Sequence, residues 1–373
     1  MKMKSSLLYR ITRSSLGYLS FLMVLLSLFL VPAHSEEIGE VSYLQQGATL
    51  VRDTNTFPLD FSSPIENFDL IRTDPSGLVE IQFLEETGIE GKILIKPASS
   101  LYIDLSQVPE GGKARVELLT GTVAQKAIKL SGQSSFEVRT ANVSMGVRGT
   151  TFEVTSAPDG SILVTCEEGM VRCEAADGTI SFADPGSAVE HTPERGFRNI
   201  PVLVQDLDTF RKNWHTERIE AFKGNAHRAL RSFVDRYLEM KKKFDEAYNL
   251  LMTRYTILSK WFREERTGRI GSMPDVLREK RSIAGPLLGL RKRTILFEKV
   301  YYRLVELREY YKQGLIRGDL GNGMTAEQFF RRFDNEAMDL EEKMRIYRHT
   351  QKLFAERNDG ISISDMIDEE PKE

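Results

Sequence analysis

Short runs of alternating apolar and polar residues fill the first half of the chain. In Val79–Phe83 and Phe152–Val154 every second side chain is apolar, as in strands that bury one face. Turn-forming sequences such as Pro158-Asp159-Gly160 separate these runs. Many short strands between frequent turns predict an all-β domain over residues 36–202, built as a sandwich or as a solenoid-like fold.

After Pro201 the apolar residues recur at intervals of three and four instead. One such series runs from Ala226 to Phe262 and predicts a single long helix, and another runs from Phe330 to Phe354. A shorter series between them, from Phe297 to Tyr311, predicts a further helix. Three helices of this kind predict an antiparallel helical bundle or coiled coil over residues 203–357.

Two local sequences indicate where helices begin. Thr325-Ala326-Glu327-Gln328 has the form of a capping box, in which Thr and Gln bond reciprocally to backbone N–H groups. Ser272-Met273-Pro274 is typical of the start of a helix, here a short connecting one, with proline in the first turn. Residues 358–373 lose the periodicity and become acidic, so this tail is predicted to be disordered.

The N-terminus has the features of a secretory signal peptide. Four lysines and arginines precede an uncharged apolar run from Leu16 to Val31. Ala33 and Ser35 then fit the small-residue cleavage pattern, so residues 1–35 are predicted to be removed and the mature chain to start near Glu36. A retained anchor is the alternative, although the run is shorter than the roughly 20 residues that a spanning helix needs. We therefore expect an exported bacterial protein of the periplasm, the cell envelope or the extracellular space.

The two predicted domains carry opposite charge. Residues 36–202 contain 13 Lys and Arg against 25 Asp and Glu, whereas residues 203–357 contain 33 against 23. Three uses of this imbalance are open: the domains dock on each other, the basic helices contact an anionic envelope polymer or a membrane surface, or the charges only solvate helix faces. Basic clusters in the helical half would suggest nucleic acid in a cytoplasmic protein, but export argues against that partner.

Export also permits disulfide bonds, which concerns the two cysteines of the chain, Cys166 and Cys173. A type II′ turn at Gly169-Met170 would place them directly opposite each other on a hairpin, where a bridge can form. A turn at Glu168-Gly169 would leave them on a diagonal, where a bridge is strained. A disulfide between Cys166 and Cys173 is therefore predicted, with two small buried thiols as the alternative.

The sequence contains no motif of an enzyme or of a cofactor site. Zinc-protease, serine-hydrolase, phosphate-loop and dinucleotide motifs are absent, and the histidines of the mature chain are scattered without metal-ligand spacing: His191, His215, His227 and His349. We expect no catalytic, cofactor-binding or metal-binding residues. A glycan-cleaving enzyme is a minor alternative, because such an enzyme needs only two carboxylates.

Several segments of the β domain resemble the FecR domain, the periplasmic sensing domain of the ferric citrate regulators. The most specific is Val147–Val154, VRGTTFEV, which is similar to the family signature V-R-G-T-x-F-x-V. Val164–Val171, which contains Glu168-Gly169, is similar to the family's V-x-V-x-E-G-x-V segment. Shorter similarities such as Leu119–Val123 extend the resemblance over residues 38–192, and the helical half lies outside it.

The residue types of the signature favour a structural role. Gly149 is expected to hold a conformation or a close approach that a side chain would forbid, and Thr150 to bond locally in the turn. Arg148 is expected to pair with a carboxylate of its own domain. The apolar positions are expected to point into the core: Val147, Phe152 and Val154. The signature is thus predicted to build the β scaffold, with a binding surface as the alternative.

The resemblance implies a non-enzymatic binding, sensing or adaptor module of the cell envelope, with an envelope protein or a glycan as partner. FecR-type anti-sigma regulators have a cytoplasmic domain before their membrane span, whereas only 15 residues precede the apolar run here. We therefore expect no sigma-factor-binding domain. The alternative function is an envelope scaffold that self-associates through its helices into a homo-oligomer.

Overall fold

The computed structural model describes residues 37–105, 113–130, 135–147, 149–321 and 323–358. Three predictions concern residues outside these ranges: the signal peptide, Arg148 of the signature, and the acidic tail after Asn358. Among the described helices, none is both long and apolar enough to cross a membrane.

The β domain consists of short strands that connect mainly through tight turns. Seventeen strands occur within the described residues. In chain order they are β1 (Glu37–Gln45), β2 (Ala48–Arg52), β3 (Asn55–Pro58), β4 (Pro64–Glu66), β5 (Leu70–Thr73), β6 (Leu78–Phe83), β7 (Ile89–Ile95), β8 (Ser100–Asp104), β9 (Lys113–Leu130), β10 (Ser135–Arg139), β11 (Val143–Val147), β12 (Thr151–Ser156), β13 (Ile162–Glu168), β14 (Val171–Ala175), β15 (Ile180–Ala183), β16 (Ser187–Thr192) and β17 (Gly196–Pro201).

The strands form two sheets that share the long strand β9. The first sheet has the order β4-β1-β6-β7-β9-β12-β13-β16-β17. The second has the order β3-β2-β5-β8-β9-β10-β11-β14-β15, in which only β9 and β10 are parallel. Apolar side chains of both sheets pack into one core, which confirms the predicted sandwich.

Gly121 marks the point where β9 passes from one sheet to the other. Thr120 pairs with Ser100 in the second sheet, and Gly121 pairs with Ser156 in the first. Gly121 has a φ of +86°, and a Cβ there would lie 2.6 Å from the Ser99 Cα. Only glycine combines this left-handed backbone with so close an approach.

The second half of the chain forms four helices within the described residues: α1 (Leu207–Met252), α2 (Tyr255–Thr267), α3 (Met273–Lys312) and α4 (Ala326–Glu356). The prediction of one long helix through Phe262 is wrong, because the backbone tightens at Thr253 and Arg254, whose N–H groups both bond to carbonyls three residues back. The short connecting helix predicted at Ser272 is instead the first turn of α3, which continues through Pro286.

The helices pack as the predicted antiparallel bundle. Phe222 of α1 contacts Tyr310 near the end of α3, whereas Phe244 stacks on Phe297 with ring centroids 4.7 Å apart, so the two helices run in opposite directions. The predicted capping box is present at Thr325, whose side chain accepts from the Gln328 N–H. Aromatic side chains from α1, α3 and α4 form the bundle core.

The bundle lies against both sheets of the sandwich. Leu70 and Leu119 of the second sheet share a buried cluster with the helices, and Leu163 of the first sheet is buried beside Trp214 of α1. Several strands are therefore buried on both faces, as in β13, where Ile162–Cys166 is buried without a break. The two domains are packed together over a broad surface.

Candidate binding cleft between the two domains

The signature segment forms part of the scaffold. Its apolar side chains are buried in the sandwich core: Val147, Phe152 and Val154. Gly149 has a φ of +67°, but a Cβ there would meet no heavy atom within 4 Å apart from its chain neighbours. Of the two expected reasons for glycine at position 149, a special conformation or a close approach, the left-handed backbone conformation is the one that the structure displays. Thr150 Oγ1 is buried and has no hydrogen-bond partner in the described structure, so the expected hydrogen bond of Thr150 within its turn is not found.

At Gly169 the segment Val164–Val171 contacts the signature segment Val147–Val154. Its φ is +86°, and a Cβ would lie 2.5 Å from the Thr150 Cγ2. Glu168 beside it is exposed and ends β13. The turn after β13 thus packs directly on the threonine of the signature, which explains glycine at this position better than hairpin geometry does.

Cys166 and Cys173 lie on different sheets. Cys166 pairs with Phe152 in the first sheet, and Cys173 pairs with Met145 in the second. The predicted hairpin is therefore wrong, because the chain crosses between the sheets at Gly169. Both thiols are free and buried in one core, and burial raises the pKa of Cys166 to about 11 and that of Cys173 to about 12. The disulfide itself stays a prediction.

The first turns of α1 pack on the outer face of the first sheet. Arg211 Nε donates to Thr165 Oγ1 at 2.8 Å, and Arg211 Nη1 lies 2.9 Å from the Glu167 carboxylate. Trp214 Nε1 donates to Glu190 at 2.7 Å. Thr165, Glu167 and Glu190 thereby gain partners from α1, which offsets part of the cost of covering them.

Helices α3 and α4 cover the second sheet with further charged contacts. Lys299 Nζ lies 3.4 Å from the Glu117 carboxylate. Arg348 pairs with Glu298 inside the bundle, and its guanidinium lies 5.9 Å from the centre of the Tyr102 ring. Burial raises the pKa of Glu298, and Arg348 opposes that shift. Of the three uses of the charge imbalance that the sequence leaves open, the structure therefore displays docking of the two domains on each other.

A third charged cluster joins the β2–β3 turn to α2 and α4. One ligand atom each of Asp53, Glu265 and His349 lies within 4.8 Å of the others, a spacing that fits a metal ion. Lys352 Nζ, however, lies 3.2 Å from Asp53 and 3.7 Å from Glu265. The ammonium group supplies the positive charge that a metal would bring, so we assign the cluster to interdomain docking. We call these three sets of contacts the seam.

A cleft of about 730 Å³ lies beside the seam, between one end of the sandwich and the bundle. Four successive hairpin turns, after β10, β12, β14 and β16, form one wall and contribute Asn142, Gly160, Ala176 and Pro193. Asn142 Nδ2 donates to the Gly160 carbonyl and the Ala176 N–H donates to the Asn142 carbonyl, both at 3.3 Å. These bonds connect the turns after β10, β12 and β14 to one another.

One face of α1 forms the opposite wall, and α3 forms the floor. The floor is bonded to the sandwich, since Lys299 Nζ donates to the Thr140 carbonyl at 2.6 Å and Arg303 Nη2 donates to Ser156 Oγ at 2.8 Å. The helical wall consists of residues three or four apart in sequence: Arg218, Ala221, Asn225, Arg228, Ser232 and Arg236. The floor of the cleft is thus bonded to the domain that forms the turn wall.

The two walls differ in charge. The helical side brings five cations to the cleft and the turns bring Asp159, Asp177 and Glu194. Arg218 lies 3.9 Å from Asp159. Arg228 and Arg236 are exposed and have no ion-pair partner among the residues described. The helical wall consequently keeps an excess of positive charge.

His191 and Asp177 add polar groups to the turn wall. Burial lowers the pKa of His191, so its imidazole is neutral at pH 7, and its Nδ1 is buried with no hydrogen-bond partner in the described part of the chain. Asp177 accepts from the Thr179 N–H at 2.9 Å, which lowers the pKa of Asp177. The wall thus presents a neutral imidazole and an ionised carboxylate.

The sequence does not single out any of these cleft residues. Asp159 and Asp177 belong to ordinary turn sequences, and Arg228 and Arg236 resemble the solvated charges of any helix. Their spacing shows that the arginines share a helix face. Only the docking of α1 on the sandwich brings that face opposite the turns.

Comparison with known proteins confirms the resemblance of the β domain. The family described as FecR protein matches residues 69–172, which lie within the segment predicted from the sequence. No curated protein matches the chain. Two structures of a candidate anti-sigma factor from Parabacteroides distasonis ATCC 8503 are similar to part of it, each at 15% sequence identity, with TM-scores of 0.32 and 0.33. The similarity covers 37% and 38% of this chain, which spans 62% and 63% of theirs.

Proposed function

We propose that this chain is an exported, non-enzymatic FecR-domain module that binds a partner of the cell envelope in the interdomain cleft. The cleft itself carries this proposal: turns at one end of a sandwich face a helix that buried ion pairs fix to the same sandwich. Binding sites commonly form where loops project from a rigid scaffold and where domains meet. A ligand held between both domains suits a sensing or adaptor role.

The carboxylates of the cleft support binding over catalysis. The Asp159 carboxylate accepts from the Ser161 N–H at 2.9 Å, just as Asp177 accepts from Thr179. Both groups thus stabilise their own turns. A glycan-cleaving enzyme needs a carboxylic acid with a raised pKa to protonate the leaving group. The pKa of Asp177 is shifted in the opposite direction.

Self-association into a scaffold has less support. The charges that would attract a second copy are already paired between the domains of one chain, as at Arg211 with Glu167 and Lys352 with Asp53. These interdomain pairs leave fewer charges on the surface for contacts between two copies.

The cleft can be tested by blocking it. Ser232 is exposed on the helical wall, so Ser232→Trp should fill the cleft, whereas Asn249→Trp places the same bulk on an exposed position of α1 that does not line it. In pull-downs from envelope extract with the mature full-length chain, the partner should be retained by the wild type and by N249W and lost with S232W. A partner that all three retain would place binding elsewhere.

Export has its own test. Protein recovered from the envelope fraction should give an N-terminal sequence that starts at or near Glu36. Recovery of Met1 in membranes would mean that the apolar run is a retained anchor.

A further inference from the structure

We infer that the ligand of the cleft is an acidic glycan, an inference that rests on the proposed function. Arg228 and Arg236 line the helical wall, are exposed, and lack an ion-pair partner in the described structure. Arginine binds carboxylate groups through two parallel hydrogen bonds and stays charged at any physiological pH. The wall therefore complements a ligand that carries carboxylates.

The arginines are spaced for a chain molecule. With a rise of about 1.5 Å per residue, Arg228 and Arg236 are separated by about 12 Å along the helix axis, and Arg218 to Arg236 spans about 27 Å. A ligand that follows the helix axis therefore passes Arg218, Arg228 and Arg236 in turn. A chain with several acidic groups can contact Arg228 and Arg236 at once, and the cleft follows the helix over this length.

The turn wall offers groups that suit sugar hydroxyls. The Asp177 and Glu194 carboxylates accept hydrogen bonds, and the Asn142 carboxamide can both donate and accept. Acceptors on one wall and arginines on the other match a ligand that carries hydroxyl and acidic groups together.

An acidic peptide fits the same cleft less well. Its β wall consists of turns, so it presents no strand edge with which an extended peptide could pair. Apolar residues beneath the cleft are already packed, as Phe222 is 1% exposed and Val300 6%. These two residues therefore expose little surface to the apolar anchors that usually dominate peptide binding.

Titration calorimetry with an oligogalacturonate, a chain of uronic acids, tests the inference on the mature full-length protein. The variant R228Q/R236Q removes the two unpaired cations of the cleft. The control K212Q/K242Q removes the same charge from exposed positions of α1 that do not line it. The wild type and the control should bind with similar affinity, the cleft variant at least about tenfold more weakly, and a neutral dextrin of equal length should not bind.

Other outcomes would overturn the inference. Equal weakening by both double variants would mean unspecific attraction to a basic helix, and no binding of the oligogalacturonate would exclude the ligand class. If hexaglutamate or vesicles of anionic lipid bind in an arginine-dependent manner while the oligogalacturonate does not, the ligand is a peptide or a membrane. The proposed function fails separately, when S232W keeps every envelope partner. Melting curves of all variants check that these surface changes leave the fold intact.

Discussion

The helical domain meets the sandwich in two different ways. Along the seam, Arg211, Lys299 and Lys352 are almost fully buried, and each lies within 4 Å of a carboxylate of the β domain. In the cleft, Arg228 and Arg236 are exposed and have no such partner among the described residues. Basic residues of the bundle are thus paired with carboxylates along the seam and are unpaired in the cleft.

This difference follows from the cost of burying charge. A cation that leaves water must be paired and hydrogen-bonded, so the seam can contain only cations that find carboxylates. An exposed arginine keeps its hydration and stays available to a ligand. The buried basic side chains of the bundle therefore serve docking, and we expect the exposed ones in the cleft to serve ligand binding.

Removal of Arg348 should have the largest effect, because it leaves a buried carboxylate of the bundle unpaired. Arg348→Ala leaves Glu298 buried without its partner, which we expect to lower the free energy of unfolding by about 3–5 kcal/mol. The control Arg331→Ala breaks an exposed pair with Glu327 and should change it by less than about 1 kcal/mol. Urea unfolding of both variants measures the difference, and equal losses would contradict the distinction between buried and exposed pairs.

A matched pair of glycines tests the strand that joins the two sheets. Gly121 and Gly178 have φ angles of +86° and +83°, but only at Gly121 would a Cβ press on a backbone atom, the Ser99 Cα. Gly178→Ala should lower the free energy of unfolding by about 1–2 kcal/mol, because alanine disfavours the left-handed backbone conformation. Gly121→Ala should cost more, because the backbone of a neighbouring turn must also move. Similar melting temperatures for the two variants would show that the close approach is unimportant.

The sequence predicts features that depend on neighbouring residues. The alternation in β6 is matched by alternating burial, and the capping box at Thr325 begins α4 as expected. Both depend on interactions within a few residues, which a sequence pattern records directly.

Features that depend on distant parts of the chain could not be predicted in this way. Glu153 and Thr165 point away from the sandwich core, yet both are buried, because α1 covers that face. A pattern in β12 or β13 cannot show that a helix begun forty residues later packs there. The cleft has the same origin, since its walls come from turns and from α1.

The cysteines test whether the predicted disulfide forms in the exported protein. If Cys166 and Cys173 form the predicted bridge in the exported protein, unfolding without reductant should expose no alkylatable thiol, and reduction should cost at most about 3 kcal/mol, since the closed loop is short. Two alkylated cysteines in the unreduced protein would contradict the bridge and leave the buried thiols that the structure displays.

A smaller effect concerns the pH dependence of the reduced protein. Burial raises the pKa of Cys166 to about 11 and that of Cys173 to about 12, from an ordinary value near 9. As the pH rises, the unfolded chain releases the two thiol protons before the folded protein does. The contribution of the buried thiols to the free energy of unfolding is therefore complete below pH 9 and is lost as the pH rises towards 12. Reduced wild type should therefore lose more stability over this range than C166A/C173A, and identical pH profiles would refute the shifts.

The cleft requires that the two domains form one unit around it. A cleavage site for a specific protease, placed after Leu203 in the exposed connection between β17 and α1, allows the chain to be cut without removal of a seam contact. After cleavage, the two fragments should co-elute as one species in size-exclusion chromatography at about 0.15 M salt, where the buried pairs are screened little. Two folded fragments that elute separately would contradict stable docking of the two domains, and with it the cleft between them.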